Sequence, residues 1–216
     1  MPTSLTIHHL GLSQSERIVW LCEELGLHYN LVRHDRDPVM RNAPPSYRVL
    51  HPAGTAPIIR DGDVVLAESG AIVEYLLARY GEGRLALASD DPGFAGYLYW
   101  LHFANGSLMP AMMLQMAVNI LAPDEDNAAT RALTERVGRG LSMVEAHLSS
   151  VPFFAGDRFT AADIMMGFPL TTMRRFVSID ISPFPTIVSY LGRVADRPAY
   201  QRMLAKADPG TVPLLD

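Results

Sequence analysis

The sequence predicts a small α/β domain over residues 1–80, a linker over 81–92 and an all-helical domain over 93–216. Three observations carry this expectation. Short strand and helix patterns alternate through the first 80 residues in the order β-α-β-loop-β-β-α. Strand alternation is missing beyond residue 92. A length of 216 residues suffices for one large domain or two small ones.

Leu5–His9 is a short β-capable run. In Glu16–Leu25, the apolar residues Ile18, Val19, Cys22 and Leu25 recur at i, i+1, i+4 and i+7, close to one helical face, and Gly26 is a fitting stop. Tyr29–Arg33 reads as a second strand, and Arg36–Ser46, polar and with three prolines, as a loop. Pro57–Arg60 and Val64–Ala67 flank Asp61-Gly62-Asp63 and predict a hairpin. Ser69–Tyr80 is helical, with Ile72, Val73, Leu76 and Leu77 on one side and Gly81 ending it. Gly81–Pro92, rich in Gly, Asp and Ala, is the linker. Helices are expected near 93–121, 125–149, 161–175, 185–195 and 198–206, with an extended tail over Asp208–Asp216.

Phe94–Ala122 contains no Asp, Glu, Lys or Arg, and its length alone would cross a bilayer. It carries His102, Asn105, Ser107, Gln115 and Asn119, is interrupted by Gly106 and Pro110, and lacks a flanking basic cluster. It is therefore expected to be the central buried helix of the helical domain. Composition narrows the function classes. Apolar residues at 49% and charged ones at 19% fit a globular chain. A net charge of −5 offers no electrostatic basis for binding nucleic acid or an anionic membrane. The single cysteine, Cys22, permits no internal disulfide, and the N-terminus lacks the basic and apolar regions of a signal peptide; a cytoplasmic location is expected.

Three short segments carry chemistry. Thr55-Ala56-Pro57 precedes a strand, where a cis Ala56–Pro57 bond would turn the Ala56 N–H and C=O toward an extended peptide; a trans proline opening the strand is the alternative. Glu68-Ser69 stands at a helix N-terminus, which attracts carboxylates; Ser69 adds a hydroxyl and Glu68 an acceptor for an ammonium group, unless Ser69 merely caps the helix. Ser13-Gln14-Ser15-Glu16 fits a capping box with Ser13 as N-cap and Glu16 at N3. The other reading turns the Ser13 hydroxyl toward a ligand thiol, whose ordinary pKa is roughly 8.5, to favour the reactive thiolate; Ser15 is the competing hydroxyl. His8 and His9 are neighbours on a strand and face opposite ways, so no metal site is expected. Dinucleotide, phosphate-loop and nucleophile-elbow motifs are missing.

In this order and spacing, Leu12–Gly26, Pro52–Pro57 and Glu68–Tyr75, with Gly156-Asp157-Arg158-Phe159-Thr160-Ala161-Ala162-Asp163 as a capping box, resemble the glutathione transferase family over essentially the whole chain. The resemblance implies a thioredoxin-like first domain and a helical second domain. It implies that Ala56, with Pro57, binds the cysteinyl part of glutathione, that Glu68 and Ser69 bind the γ-glutamyl part, and that Ser13 is the catalytic hydroxyl of a serine-type, theta-like member. Cys22 lies mid-helix, away from the position where other members keep a cysteine. His51 and Thr55 depart from the residues many members carry. Met109, Met112, Met113 and Met116, at i, i+3, i+4 and i+7, would border the pocket for an apolar electrophile, unless they are plain core.

The expected activity is detoxifying conjugation of glutathione, as substrate and not as cofactor, to an electrophilic, largely apolar small molecule, with no cofactor or metal and with neither nucleic acid nor membrane as partner. The alternatives are a glutathione-dependent peroxidase or disulfide reductase, or a non-catalytic protein-binding member. A homodimer is expected, with the 64–67 and 69–80 region of one chain facing the 93–121 and 125–149 helices of the other.

Overall fold

Strand β1 (Leu5–Leu10) alternates buried and half-buried residues along most of its length, the period-two signature of a pleated strand. It enters helix α1 (Glu16–Leu25), which ends at Gly26 in the left-handed region (φ 64°), a conformation that favours glycine. Strand β2 (Asn30–His34) returns parallel to β1. After the short α2 (Pro45–Arg48), β3 (Ile58–Asp61) runs antiparallel to β1 and pairs with β4 (Val64–Ala67). The register Asp61↔Val64 leaves Gly62-Asp63 as a two-residue turn, and Gly62 has φ 59°. Helix α3 (Ser69–Tyr80) follows, and the sheet order is β2-β1-β3-β4. The structure, a computed structural model, describes residues 5–121 and 127–216.

Residues Leu87–Ala195, with Pro213–Asp216, form a helical unit. It contains α4 (Phe94–Phe103), α5 (Met109–Leu121), α6 (Ala128–Leu148), α7 (Ala161–Leu170), α8 (Arg174–Val177) and α9 (Pro185–Ala195). Between α4 and α5, Ala104–Leu108 form one π-helical turn, closed by the Met109 N–H on the Ala104 carbonyl. Pro110 has no N–H for the ordinary bond to Gly106, which accounts for the wider turn. The expected single helix over 93–121 is thus interrupted. Residues 125 and 126 of the next expected helix lie outside the described residues.

The charge-free stretch is not the central helix of this unit. Every residue of α7 is buried, whereas Leu98, Tyr99, Met113, Leu114, Ile120 and Leu121 are exposed. The lack of charge there reflects an apolar exposed face as well as a buried one, to which Trp100, Leu101, Leu108 and Met112 belong. Helix α7 is started by the expected capping box: Thr160 accepts from the Ala162 N–H, and Asp163 accepts from the Thr160 N–H at 2.8 Å. Burial pushes the Asp163 carboxyl up to about 6, against the lowering effect of its Phe154, Thr160 and Tyr190 donors. No helix among the described residues is long and apolar enough to cross a membrane.

The last helix, α10 (Pro198–Ala207), belongs with the sheet: residues up to Ala86 and Asp196–Val212 form one compact unit. The sequence pattern assigned all of 93–216 to the helical part; the contacts divide it differently. Helix α10 packs on α1, where Trp20 meets Tyr200 edge-on, with ring centroids 4.9 Å apart. Arg197 grips Glu24 with two bonds of 2.6 and 2.7 Å, and Arg202 and Lys206 both reach Glu23. Flanked by α3, α10 and the sheet, α1 buries nine of its ten residues, not one face alone.

Candidate functional site

The strand register assembles one end of the sheet. His8 lies opposite Ile58, and Ile58 opposite Ala67. The loop leaving β1, the Ala56-Pro57 segment entering β3 and Glu68-Ser69 leaving β4 therefore share an edge. Beneath it, Leu10, Tyr47, Ile58 and Ala67 form a buried apolar cluster against which Ala56 packs. The Ala56–Pro57 bond is cis. Among the described residues, no hydrogen bond occupies the Ala56 N–H or C=O.

Glu68 has φ 72° and ψ 114°, a positive φ that costs a non-glycine residue on the order of 1 kcal/mol or more. It is exposed, while Ser69 is buried. No side chain caps α3, so its first N–H groups and the positive helix end face this edge. Ser69 Oγ accepts from Arg17 Nη1 at 3.2 Å, and the same nitrogen donates to Gln14 Oε1 at 2.5 Å. Burial pushes the Arg17 guanidinium down, against the raising effect of Glu16.

Ser13 does not form the expected capping box. The N-cap of α1 is Ser15, in right-handed helical conformation and without a side-chain cap. The preceding loop passes through Leu12 at φ 51°, which leaves Ser13 two residues short of the cap position. Its carbonyl accepts from the Glu16 N–H, and its hydroxyl lies 2.7 Å from Ser15 Oγ. Ser15 has no exposed surface, and its hydroxyl also meets the Leu10 N–H (3.1 Å) and His9 Nδ1 (2.9 Å). Ser13 keeps 5% exposure and is the outer of the two hydroxyls.

Sequence reasoning missed the residues that hold this loop. Asp208, just past α10, accepts from the Leu12 N–H through Oδ1 and from His9 Nε2 through Oδ2, both at 3.1 Å. Burial pushes its carboxyl up, but the His9 bond and charge, the Leu12 N–H and Arg33 more than offset this and hold it below its ordinary value. Arg36 donates to the Gly11 and Leu12 carbonyls at 2.8 and 3.1 Å. These clamps hold Leu12 in its left-handed conformation. His9 offered only a strand position as signal, and nothing in the sequence linked Asp208 to it.

The remaining expectations are divided. His8 and His9 do face different partners: His8 Nδ1 lies 3.2 Å from His34 Nε2, while His9 meets Ser15 and Asp208. No metal-binding cluster occurs among the described residues. Cys22 is fully buried, and burial pushes its thiol up, out of thiolate chemistry. His51 Nδ1 accepts from the Ala53 N–H. The methionines are not brought together on one surface: Met109 and Met112 are core, Met116 is half-buried and Met113 is 50% exposed. The buried residues of α5 are Met109, Ala111 and Met112, continuing Leu108 of the π turn, to one side of the methionine stripe.

Comparison with known proteins adds to this geometry. Residues 13–79 match the family model described as glutathione S-transferase, N-terminal domain, and residues 108–198 match the corresponding C-terminal domain. Glutathione S-transferase 3 of Schizosaccharomyces pombe is 34% identical, over 97% of this chain and 90% of that protein. Glutathione S-transferase GstB of Escherichia coli is 29% identical over 88% and 91%. A glutathione S-transferase structure from Actinobacillus pleuropneumoniae superposes with a TM-score of 0.87 at 34% identity, covering 94% of this chain and 93% of that one. A theta class structure from Xanthomonas axonopodis pv. citri with glutathione bound gives 0.74 at 27% identity, covering 95% and 99%.

Proposed function

Because this chain belongs to the glutathione S-transferase family, we propose that it attaches the thiol of glutathione to the electrophilic carbon of a largely apolar small molecule. It is a glutathione transferase; the electrophile, the site residues and the assembly are our reading. One observation carries it: the Ser13 loop, Ala56-Pro57 and Glu68-Ser69 share one edge of the sheet. The unoccupied Ala56 N–H and C=O pair with the cysteinyl part of glutathione, as a strand edge pairs with an extended peptide. The start of α3 and the Ser69 hydroxyl bind the γ-glutamyl carboxylate, and exposed Glu68 accepts from its ammonium group. Ser13 donates to the sulfur and favours the thiolate, which attacks the electrophile.

The electrophile site is assigned to the helical unit, where the half-buried and exposed methionines, Met116 and Met113, offer adaptable apolar contact. The exposed apolar residues Leu98, Tyr99, Met113, Leu114 and Met143 support a homodimer. Detoxification in the cytoplasm is the role that fits. The test is a comparison of turnover, with glutathione, on an aryl halide and on a hydroperoxide, after calorimetric titration of glutathione. Conjugation of the aryl halide is expected. Turnover of the hydroperoxide alone would reassign the protein as a peroxidase, and failure to bind glutathione would overturn the reading. Light scattering checks the dimer, which a monomer at micromolar concentration would exclude.

A further inference from the structure

Behind Ser13 a continuous line of buried groups runs inward. Ser13 Oγ lies 2.7 Å from Ser15 Oγ, Ser15 Oγ 2.9 Å from His9 Nδ1, and His9 Nε2 3.1 Å from Asp208 Oδ2. Ser15 and His9 have no exposed surface, and Asp208 has 5%. A buried histidine–carboxylate pair is expensive to desolvate. Holding the peptide of glutathione requires none of these three inner residues. The order Ser–His–Asp is that of a hydrolytic triad with the two ring nitrogens exchanged, and Ser15 is too deep to attack a substrate.

A count of hydrogens defines what the line can do. The Asp208 carboxylate only accepts, so His9 Nε2 carries a hydrogen. With His9 neutral, Nδ1 must accept. Ser15 then donates to His9 and receives from the Leu10 N–H and from Ser13, so the Ser13 hydrogen points inward and Ser13 Oγ accepts from outside. With His9 protonated, the line of hydroxyl bonds reverses, while the Leu10 and Ser15 N–H groups and the His9 Nε2–H keep their acceptors. Nδ1 donates to Ser15, Ser15 to Ser13 at 2.7 Å rather than to the Leu10 carbonyl at 3.4 Å, and the Ser13 hydrogen is directed outward.

We propose that the buried His9–Asp208 pair is the acceptor of the glutathione thiol proton, reached through Ser15 and Ser13. This rests on the reading of Ser13 as the group at the sulfur. In the step, the thiol hydrogen passes to Ser13 Oγ as the Ser13 hydrogen passes to Ser15 Oγ and the Ser15 hydrogen to His9 Nδ1. One S–H and two O–H bonds break; two O–H bonds and one N–H bond form. The products are a thiolate that receives a bond from Ser13 and an imidazolium paired with Asp208. No electrons leave the site. After the thiolate is consumed, the proton returns to water through the same hydroxyls. The other charged and titratable groups around the pair are Arg33, 4.0 Å from Asp208 Oδ1, with His34 and Arg36, which act through their fields.

The test counts protons. Glutathione is bound to the protein near neutral pH while thiolate absorbance is recorded, and calorimetry in two buffers of different ionisation heat measures the protons released. The expected result is thiolate with almost no proton released. Thiolate with about one proton released per site overturns the relay and leaves the reading of Ser13 intact. Failure to form any thiolate overturns both. His9→Gln and Ser15→Ala should each raise the bound thiol pKa by about one unit or more, lowering kcat/KM about tenfold near neutral pH. The double variant should be no worse than the worse single one. If His9→Gln fails to fold, the wild-type proton count and Ser15→Ala still decide. Thiolate that still forms without proton release in Ser15→Ala overturns the relay.

Discussion

Arg17 on α1 donates from Nη1 to the hydroxyl of Ser69 at the first residue of α3, across 3.2 Å and with both side chains buried. It fixes the orientation of the one hydroxyl at that helix end. Arg17→Lys keeps the charge but loses the planar fork that also reaches Gln14. It should cost about 1–2 kcal/mol in urea unfolding and weaken glutathione binding several-fold by titration, while kcat with saturating glutathione changes little.

Ser13→Ala should separate catalysis from stability. Its hydroxyl accepts from the Ser15 N–H at 3.3 Å and caps no helix, so its removal should cost only about 1 kcal/mol of stability. The bound thiol pKa should rise, each unit being worth about 1.4 kcal/mol. Activity near neutral pH should fall about tenfold or more at nearly unchanged glutathione affinity. A pH–rate profile checks this; a profile identical to the wild type would remove Ser13 from the chemistry.

Glu68→Gln keeps the shape of the side chain and removes its charge. Loss of a charge-assisted bond to the ammonium group should raise the glutathione Kd about tenfold, with kcat at saturation preserved. Unchanged affinity in a calorimetric titration would reassign Glu68 as a solvated helix-start residue.

Glu23 sets an acid limit on the α1–α10 contact. Burial pushes its carboxyl up, but Lys206, Tyr29 and Arg202 more than offset this and hold it below its ordinary value. A depressed folded pKa means that this stabilisation is complete above the unfolded glutamate value of about 4.3 and is lost as pH falls through the folded value. Arg202 and Lys206 are half exposed, so screening limits the contribution to about 1 kcal/mol. Glu23→Gln should therefore lower Tm near pH 7 by a few degrees, and the gap from wild type should close in acid. A constant gap down to about pH 2 would exclude the linkage.

The parts of this architecture legible in the sequence are those encoded by neighbours. The hairpin turn at Gly62, the Gly26 stop and the Thr160–Asp163 box are each complete within a few residues. Ala56-Pro57 and Glu68-Ser69 are local in the same way, and strand pairing alone brings them together. The interior of the Ser13 loop was not legible, because its clamps come from Arg36 and from Asp208. An amphipathic pattern says that α10 buries a face but does not say against what. The lack of charge in Phe94–Ala122 removed the contrast that would have separated surface from core; Pro110 was visible as an interruption, but the pattern did not say that the chain would pass it by a wider turn.

His9 and Asp208 are 199 residues apart in sequence. The sheet and its first helices leave the ribosome long before α10, yet the loop bearing Ser13 lacks one of its anchors until that helix docks. During synthesis, the helical unit is interposed between the two halves of the unit that carries the chemistry. A nascent chain stalled before residue 196 would hold the sheet with the loop clamped by Arg36 alone, the Leu12 N–H lacking its Asp208 acceptor. The full set of contacts around the Ser13 loop is thereby tied to near-completion of translation.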